Sequence, residues 1–219
     1  MFINSVMNIE NIISKRRQIR YFDLANYPKK NLVDELIKKS YTHTPSRQNL
    51  IPYKVHILGP EQKEYKKILY NLSTIPPKGT ARTFNNTNAL APYVLLLTHR
   101  LVTNPNPMVK DRMNRGYSYK NCNIEQYKST MYDACIEIGI FSYNLTVLCL
   151  EQNIDVSYMG CFPKWNRKEP ESITLWKDLP FVDDDPLLSL QLGYRCKNSK
   201  HNKIKGEWKP TINEIINWV

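Results

Sequence analysis

Three arginines fall within five residues in the stretch KRRQIRYF, 15–22: Arg16, Arg17 and Arg20. A guanidinium is permanently charged and offers paired donors that match phosphate oxygens. The trio reads as an anion clamp or, more simply, as cations at the end of a helix, where they complement its dipole. A second stretch, TPSRQN at 44–49, separates a helical pattern ending near Tyr41 from a strand pattern starting near Tyr53. An ordinary helix-to-strand turn needs few residues. This one carries Pro45, a hydroxyl on Ser46, a guanidinium on Arg47 and an amide on Asn49. A third basic group, around Lys203 and Lys205, lies far down the chain. If the three meet in space they form a phosphate site without a Gly-rich loop. Their positions along the chain do not by themselves bring them together.

Other chemistries lack their residues. No G-x-G occurs, so the dinucleotide fingerprint is missing, and neither a phosphate-binding G-x-x-x-x-G-K nor an H-E-x-x-H is present. There is no G-x-S-x-G nucleophile elbow. His43, His56, His99 and His201 are far apart and read as structural or exposed. The acidic run at 183–185 reads as a solvated turn before Pro186. No two of the five cysteines are spaced C-x-x-C, which argues against a zinc finger or dithiol motif. Their odd number and wide spacing suit reduced thiols and a cytoplasmic location. The start shows no basic segment before an apolar core, so no secretory signal is expected.

The elements that must position these groups follow from patterning. The 219 residues suit one domain, 1–219, with a sizeable core. A formal net charge of +11 favours anionic partners, though a basic solvated surface is the plainer reading. Residues 9–17 fit a short basic helix. Apolar residues at i, i+4 spacing mark a helix over 31–42 with Asn31 as N-cap. Residues 53–58 read as a strand, 61–72 as an amphipathic helix and 73–88 as turns. The run PYVLLLTH, 92–99, has the continuous apolar character of a central strand. Residues 100–128 are polar and irregular, an excursion that could cover a site. Residues 128–153 are apolar nearly all round and should form the central helix. The Ala134–Leu150 part is interrupted by Glu137 and Asn144, which speaks against a membrane span. Short strands are expected at 155–162 and 186–194, then a basic C-terminal arm, 196–219. One α+β domain accounts for the whole.

In this order the segments resemble the FMN-dependent nitroreductase superfamily. That family opens with R-R-S-x-R-x-F, here RRQIRYF; its A-P-S-x-x-N-x-Q-P segment reads TPSRQNLIP. An F-N pair precedes an apolar strand, here FNNTNALAPYVLLLTH, and a long helix with an Asp leads to a Gly turn, here SYMGCF. The last strand ends in L-G-Y, with basic residues following. The likeness spans nearly the whole chain. It implies a mostly antiparallel sheet flanked by helices, a homodimer with FMN at the interface, and an NADH- or NADPH-dependent ping-pong hydride transfer to a small electron-poor acceptor such as a nitroaromatic or quinone. It further implies that Arg16, Arg17 and Arg20, with Lys203 or Lys205, hold the FMN phosphate and ribityl chain. Pro45, Ser46, Arg47 and Asn49 would reach the flavin of the partner subunit. Asn85 would pair with the pyrimidine edge, since an amide both donates and accepts. The Met159 and Gly160 backbone would approach N5, where glycine permits it. A flavin carries the redox chemistry itself, which suits a chain with no evident acid–base dyad.

The sequence departs from that pattern in places. Gln18 and Asn88 are expected in the cofactor-binding set, but Gln18 stands where the family has a small hydroxyl residue, and Ile51 replaces the Gln before Pro52. Asn88 occupies a position often filled by Lys or Arg, whose charge would favour an anionic flavin; Arg82 could substitute, and otherwise the potential would be lower. Within the same fold, dehalogenation, flavin fragmentation or a biosynthetic dehydrogenation are alternative reactions. Residues 100–128 would decide among them as a lid, with Tyr117, Tyr119 and Tyr127 available to stack on an acceptor. A non-enzymatic basic module binding nucleic acid is the reading of another class, but no base-stacking platform or reading helix is evident.

Overall fold

The computed structural model describes residues 9–74, 86–100, 102, 107, 110–111, 124–160, 178–180, 186–197 and 210–216. The helices are α1 (Ile9–Ser14), α2 (Lys30–His43), α3 (Lys63–Thr74), α4 (Ile124–Glu151) and α5 (Ile212–Ile215). The strands are β1 (Tyr53–Leu58), β2 (Tyr93–His99), β3 (Asp155–Met159) and β4 (Pro186–Gly193). Among the described residues they form one four-stranded sheet in the order β1-β2-β4-β3, with every pairing antiparallel.

Strand β2 is buried along its whole length, as its unbroken apolar run predicts for a central strand. Alternate β2 residues serve opposite faces, because strand side chains have a period of two. Val94 and Leu96 join Leu58, Leu69, Leu72, Ile19 and Met159 in a core on the α3 side. Leu95 and Leu97 face a second core with Val33 and Leu36 of α2 and Phe141 and Leu145 of α4. In register, Tyr93 lies opposite Leu192, and Asp155 opposite Gly193. Residues that approach the site along β2, β3 and β4 are thereby fixed relative to one another.

Helix α4 spans 28 residues. Ile138, Phe141, Leu145 and Cys149 recur at helical spacing and are buried. Small Ser40 of α2 lets the helices close up, and its hydroxyl donates to the Phe141 carbonyl at 2.8 Å. The expectation of an apolar surface nearly all round is met, but its burial is one-sided. Tyr132, Ile136 and Tyr143 are exposed on the face away from the core. The Met131–Glu151 stretch has the length and composition of a membrane span, yet half of it is buried within this fold, as in a core helix. At its end Asn153 adopts φ 57°, and the Ile154 N–H returns to the Cys149 carbonyl at 2.8 Å. This left-handed cap stops the helix and delivers the chain directly into β3.

Three boundary expectations are corrected, the first being that α4 begins at Ile124, inside the 100–128 stretch expected to be irregular. Helix α2 starts one residue earlier, with Lys29 as N-cap and no side-chain cap; the Asn31 side-chain Oδ1 instead accepts from the Leu32 N–H. The first helix ends at Ser14, so Arg16 and Arg17 lie just beyond it and Arg20 farther on.

Candidate functional site

The extended chain after α1 crosses the end of β3. The Gln18 amide donates to Ser157 Oγ at 2.7 Å and to the Tyr158 carbonyl at 3.1 Å, linking positions 139 and 140 residues apart. Asn88, in a 3-10 turn at Thr87–Leu90, completes the joint. With its amide oriented by the network, its nitrogen donates to the Ile19 and Arg20 carbonyls at 3.0 and 3.1 Å, and its oxygen accepts from Ser157 Oγ at 2.9 Å. Ser157 then both accepts and donates, using its hydroxyl fully. Thr87 adds a bond from its hydroxyl to the Arg20 carbonyl at 2.6 Å. Asn88 and Ser157 are buried, so each bond replaces one to water that burial has removed.

The chain leaving β4 meets residues 21–23 of the same segment, at the Asp155 end of β3. The Asp23 N–H donates to the Tyr194 carbonyl at 2.8 Å, the Cys196 N–H to the Tyr21 carbonyl at 3.1 Å, and Phe22 pairs with Arg195 as an isolated bridge. Buried Asp155 holds Arg195 through its backbone N–H and its guanidinium, at 3.0 Å for N and Nε. Segments 16–23, 86–88 and 193–197 therefore assemble along the edge strand β3, with 193–197 at its Asp155 end and Gly160 at the other.

The segment alongside β3 carries the three arginines. Arg16 and Arg17 are half-buried and Arg20 is exposed. The Arg17 guanidinium folds back onto the Ser14 and Arg16 carbonyls, both at 2.7 Å. Burial pushes the Tyr158 phenol up, opposed by its bond with Thr146 and by the charge of Arg16. Gly160 ends the segment, and a Cβ placed there would meet nothing within 4 Å.

The 45–51 turn is held by a different element. Ser46 Oγ and the Arg47 N–H both donate to Glu137 Oε1 of α4 at 2.9 Å. The Arg47 guanidinium pairs with Asp133 at 3.2 Å. Ser46 Oγ also accepts from the Ile51 N–H at 2.8 Å. Gln48, Asn49 and Ile51 all have positive φ, between 48° and 57°. Glu137 is buried, and desolvation raises its carboxyl pKa against the lowering effect of the two bonds it accepts.

Two sequence expectations change. Gln18 is not a longer stand-in for a phosphate-binding hydroxyl, because its amide faces β3. Asn88 does not present its amide to a ligand; it is 3% exposed and bonded within the protein. Asn88→Lys would bury an ammonium in that joint, so it cannot report on a charge beside a flavin. Asn85, Arg82, Tyr117, Tyr119, Lys203 and Lys205 lie outside the described residues, as do most of 100–128 and of 196–219 and the side chain of Tyr127. Ser157, Thr87, Asp155 and Glu137 were missed as functional supports. Only Glu137 left a signal, as an acidic interruption in an apolar helix.

No protein-family model matches the sequence, and no curated protein sequence does. Solved structures do match. A Staphylococcus epidermidis protein described as a candidate NAD(P)H:FMN oxidoreductase superposes with TM-score 0.69 at 16% identity, over 98% of this chain and 97% of that one. A candidate nitroreductase from Exiguobacterium sibiricum, solved in complex with FMN, gives 0.65 at 18% identity, over 98% of each chain. The chain has the nitroreductase fold. A nitroreductase-like protein from Streptococcus mutans agrees, with TM-score 0.62 at 17% identity, over 96% of this chain and 97% of that one. At these identities the likeness concerns the nitroreductase fold alone, and the residues must carry the chemistry.

Proposed function

We propose that this chain is an FMN-dependent oxidoreductase that works as a homodimer, oxidising NADH or NADPH and reducing a small electron-poor acceptor of nitroaromatic or quinone type. The observation that carries the reading is the assembly of segments 16–23, 86–88 and 193–197 along β3, which runs on to Gly160; with β3 these are four of the five segments that resemble the superfamily. The fold neighbours, one of them complexed with FMN, support it.

The residues present fit that cofactor. Three guanidinium groups in five residues suit a phosphate dianion, as bidentate donors that keep their charge. Gly160 faces open space, so a planar ring can approach the backbone closely. Bound FMN would supply the hydride chemistry. Arg16, Arg17 and Arg20, with Lys203 or Lys205, would hold its phosphate. The chain enters residues 198–209 from beside Tyr21, which suits that assignment. Met159 and Gly160 would line the ring, and Asn85 would meet its pyrimidine edge. The Ser157 joint would keep the arginine segment and Gly160 in register. Ser46, Arg47 and Asn49 would serve the flavin of the partner subunit. Tyr132, Ile136 and Tyr143 supply an apolar stripe on α4 of the kind that subunit contacts bury. The unbridged thiols Cys135 and Cys149 suit a cytoplasmic setting.

The test is the visible spectrum of the purified protein, followed by anaerobic addition of NADH and NADPH. A flavin band that bleaches with either donor supports the proposal. A protein that is colourless and takes up no added FMN refutes it.

A further inference from the structure

We infer that Glu137 is a positioning residue: its buried carboxyl sets the shape of the 45–51 turn, and so the contacts that turn makes to a flavin. The inference rests on the function proposed above and assigns a role to a residue outside its binding set.

The geometry is specific. Glu137 is 4% exposed, and one of its oxygens takes two bonds from adjacent residues, the Ser46 hydroxyl and the Arg47 N–H. Its other oxygen, Oε2, is buried without a hydrogen-bond partner among the described residues. One helical turn earlier, Asp133 holds the Arg47 side chain. Helix α4 therefore grips residue 47 by both backbone and side chain. The Ser46 hydroxyl relays the grip, since it also accepts from the Ile51 N–H. Between those two points lie Gln48 and Asn49 in the left-handed region, with Ile51 itself at φ 48°. Such angles are unfavourable for L residues, most of all a β-branched one. They persist only where surrounding bonds over-determine them. The Glu137 acceptor is the anchor of those bonds, and without it the turn is released to ordinary backbone angles.

The role needs an acceptor oxygen rather than a charge. A Gln at 137 keeps one carbonyl oxygen able to receive both donors, whereas Ala removes it. Ser46 and Glu137 should therefore act as a unit.

The experiment compares wild type, Glu137→Gln, Glu137→Ala, Ser46→Ala and the Ser46→Ala/Glu137→Ala double variant. FMN dissociation constants are read by flavin fluorescence, with circular dichroism and Tm measured alongside. Glu137→Ala and Ser46→Ala should each weaken FMN binding about tenfold or more in folded protein. The double variant should be no weaker than the worse single one, as expected of one coupled pair. Glu137→Gln should stay within about threefold of wild type. A lowered Tm with unchanged FMN affinity in Glu137→Ala overturns the inference and leaves a purely structural role. If Glu137→Ala does not fold, Ser46→Ala decides: wild-type affinity there overturns it. Wild type that binds no FMN refutes the proposed function and this inference with it; wild type that binds while the variants are unaffected refutes the inference alone.

Discussion

Lys66→Met probes the strut behind the site. Lys66 is 4% exposed, and its ammonium donates to the Ala91 and Pro92 carbonyls, both at 3.0 Å. Those carbonyls follow the turn that carries Asn88 and precede β2, so the amine fixes α3 to the segment that supports the Ser157 joint. Burial pushes the Lys66 pKa down from 10.5 to about 8, with Glu61 opposing the shift and Lys63 adding to it. The folded pKa lies below the unfolded one, so between them the unfolded chain binds more protons. Stability from this group therefore rises with pH across that window. Linkage with those two values gives a gain of about 2 kcal/mol between about pH 7 and about pH 9.5, an upper figure because water reaching the amine reduces it. Near neutral pH the variant loses two charge-assisted bonds of roughly 1.5–3 kcal/mol each but sheds a burial cost of roughly 3 kcal/mol, leaving a small net loss. Urea unfolding of both proteins at the two pH values measures the gap. It should widen by about 2 kcal/mol at the higher pH. The buried tyrosines cancel in the comparison, because both proteins carry them. A gap that stays constant within about 0.5 kcal/mol would refute the reasoning.

Gly193→Ala should destabilise by about 1–3 kcal/mol, because its Cβ would meet Phe22 at 2.9 Å and the Pro92 ring at 3.0 Å; thermal unfolding measures this. Arg195→Met leaves buried Asp155 with one backbone N–H and should cost about 3–5 kcal/mol in chemical denaturation. Ile136→Glu places a charge in the exposed apolar stripe of α4 and should shift sedimentation from dimer to monomer without unfolding the chain.

The fold was legible where burial is complete. The unbroken run in β2 states its depth directly, because a fully buried strand admits few polar residues. The solvent-facing side of α4 was not legible, since an apolar stripe reads the same whether it meets a core or nothing. The arginine cluster and Gly160 were legible as types suited to a site. The direction of a polar side chain was not. Gln18 and Asn88 look like candidates for a ligand, yet both turn inward to Ser157, and only the packing of β3 against residues 18–20 settles that. Glu137 stood out as an acid in an apolar helix. Its meaning depends on a turn 90 residues earlier in the chain, and no local pattern records that distance.

The most direct measurement is the affinity of the purified protein for FMN and for riboflavin, which differ only in the phosphate. If Arg16, Arg17 and Arg20 form a phosphate clamp, FMN should bind about a hundredfold more tightly, and the difference should shrink with added salt. Equal affinities for the two flavins would contradict the clamp and the site built around it.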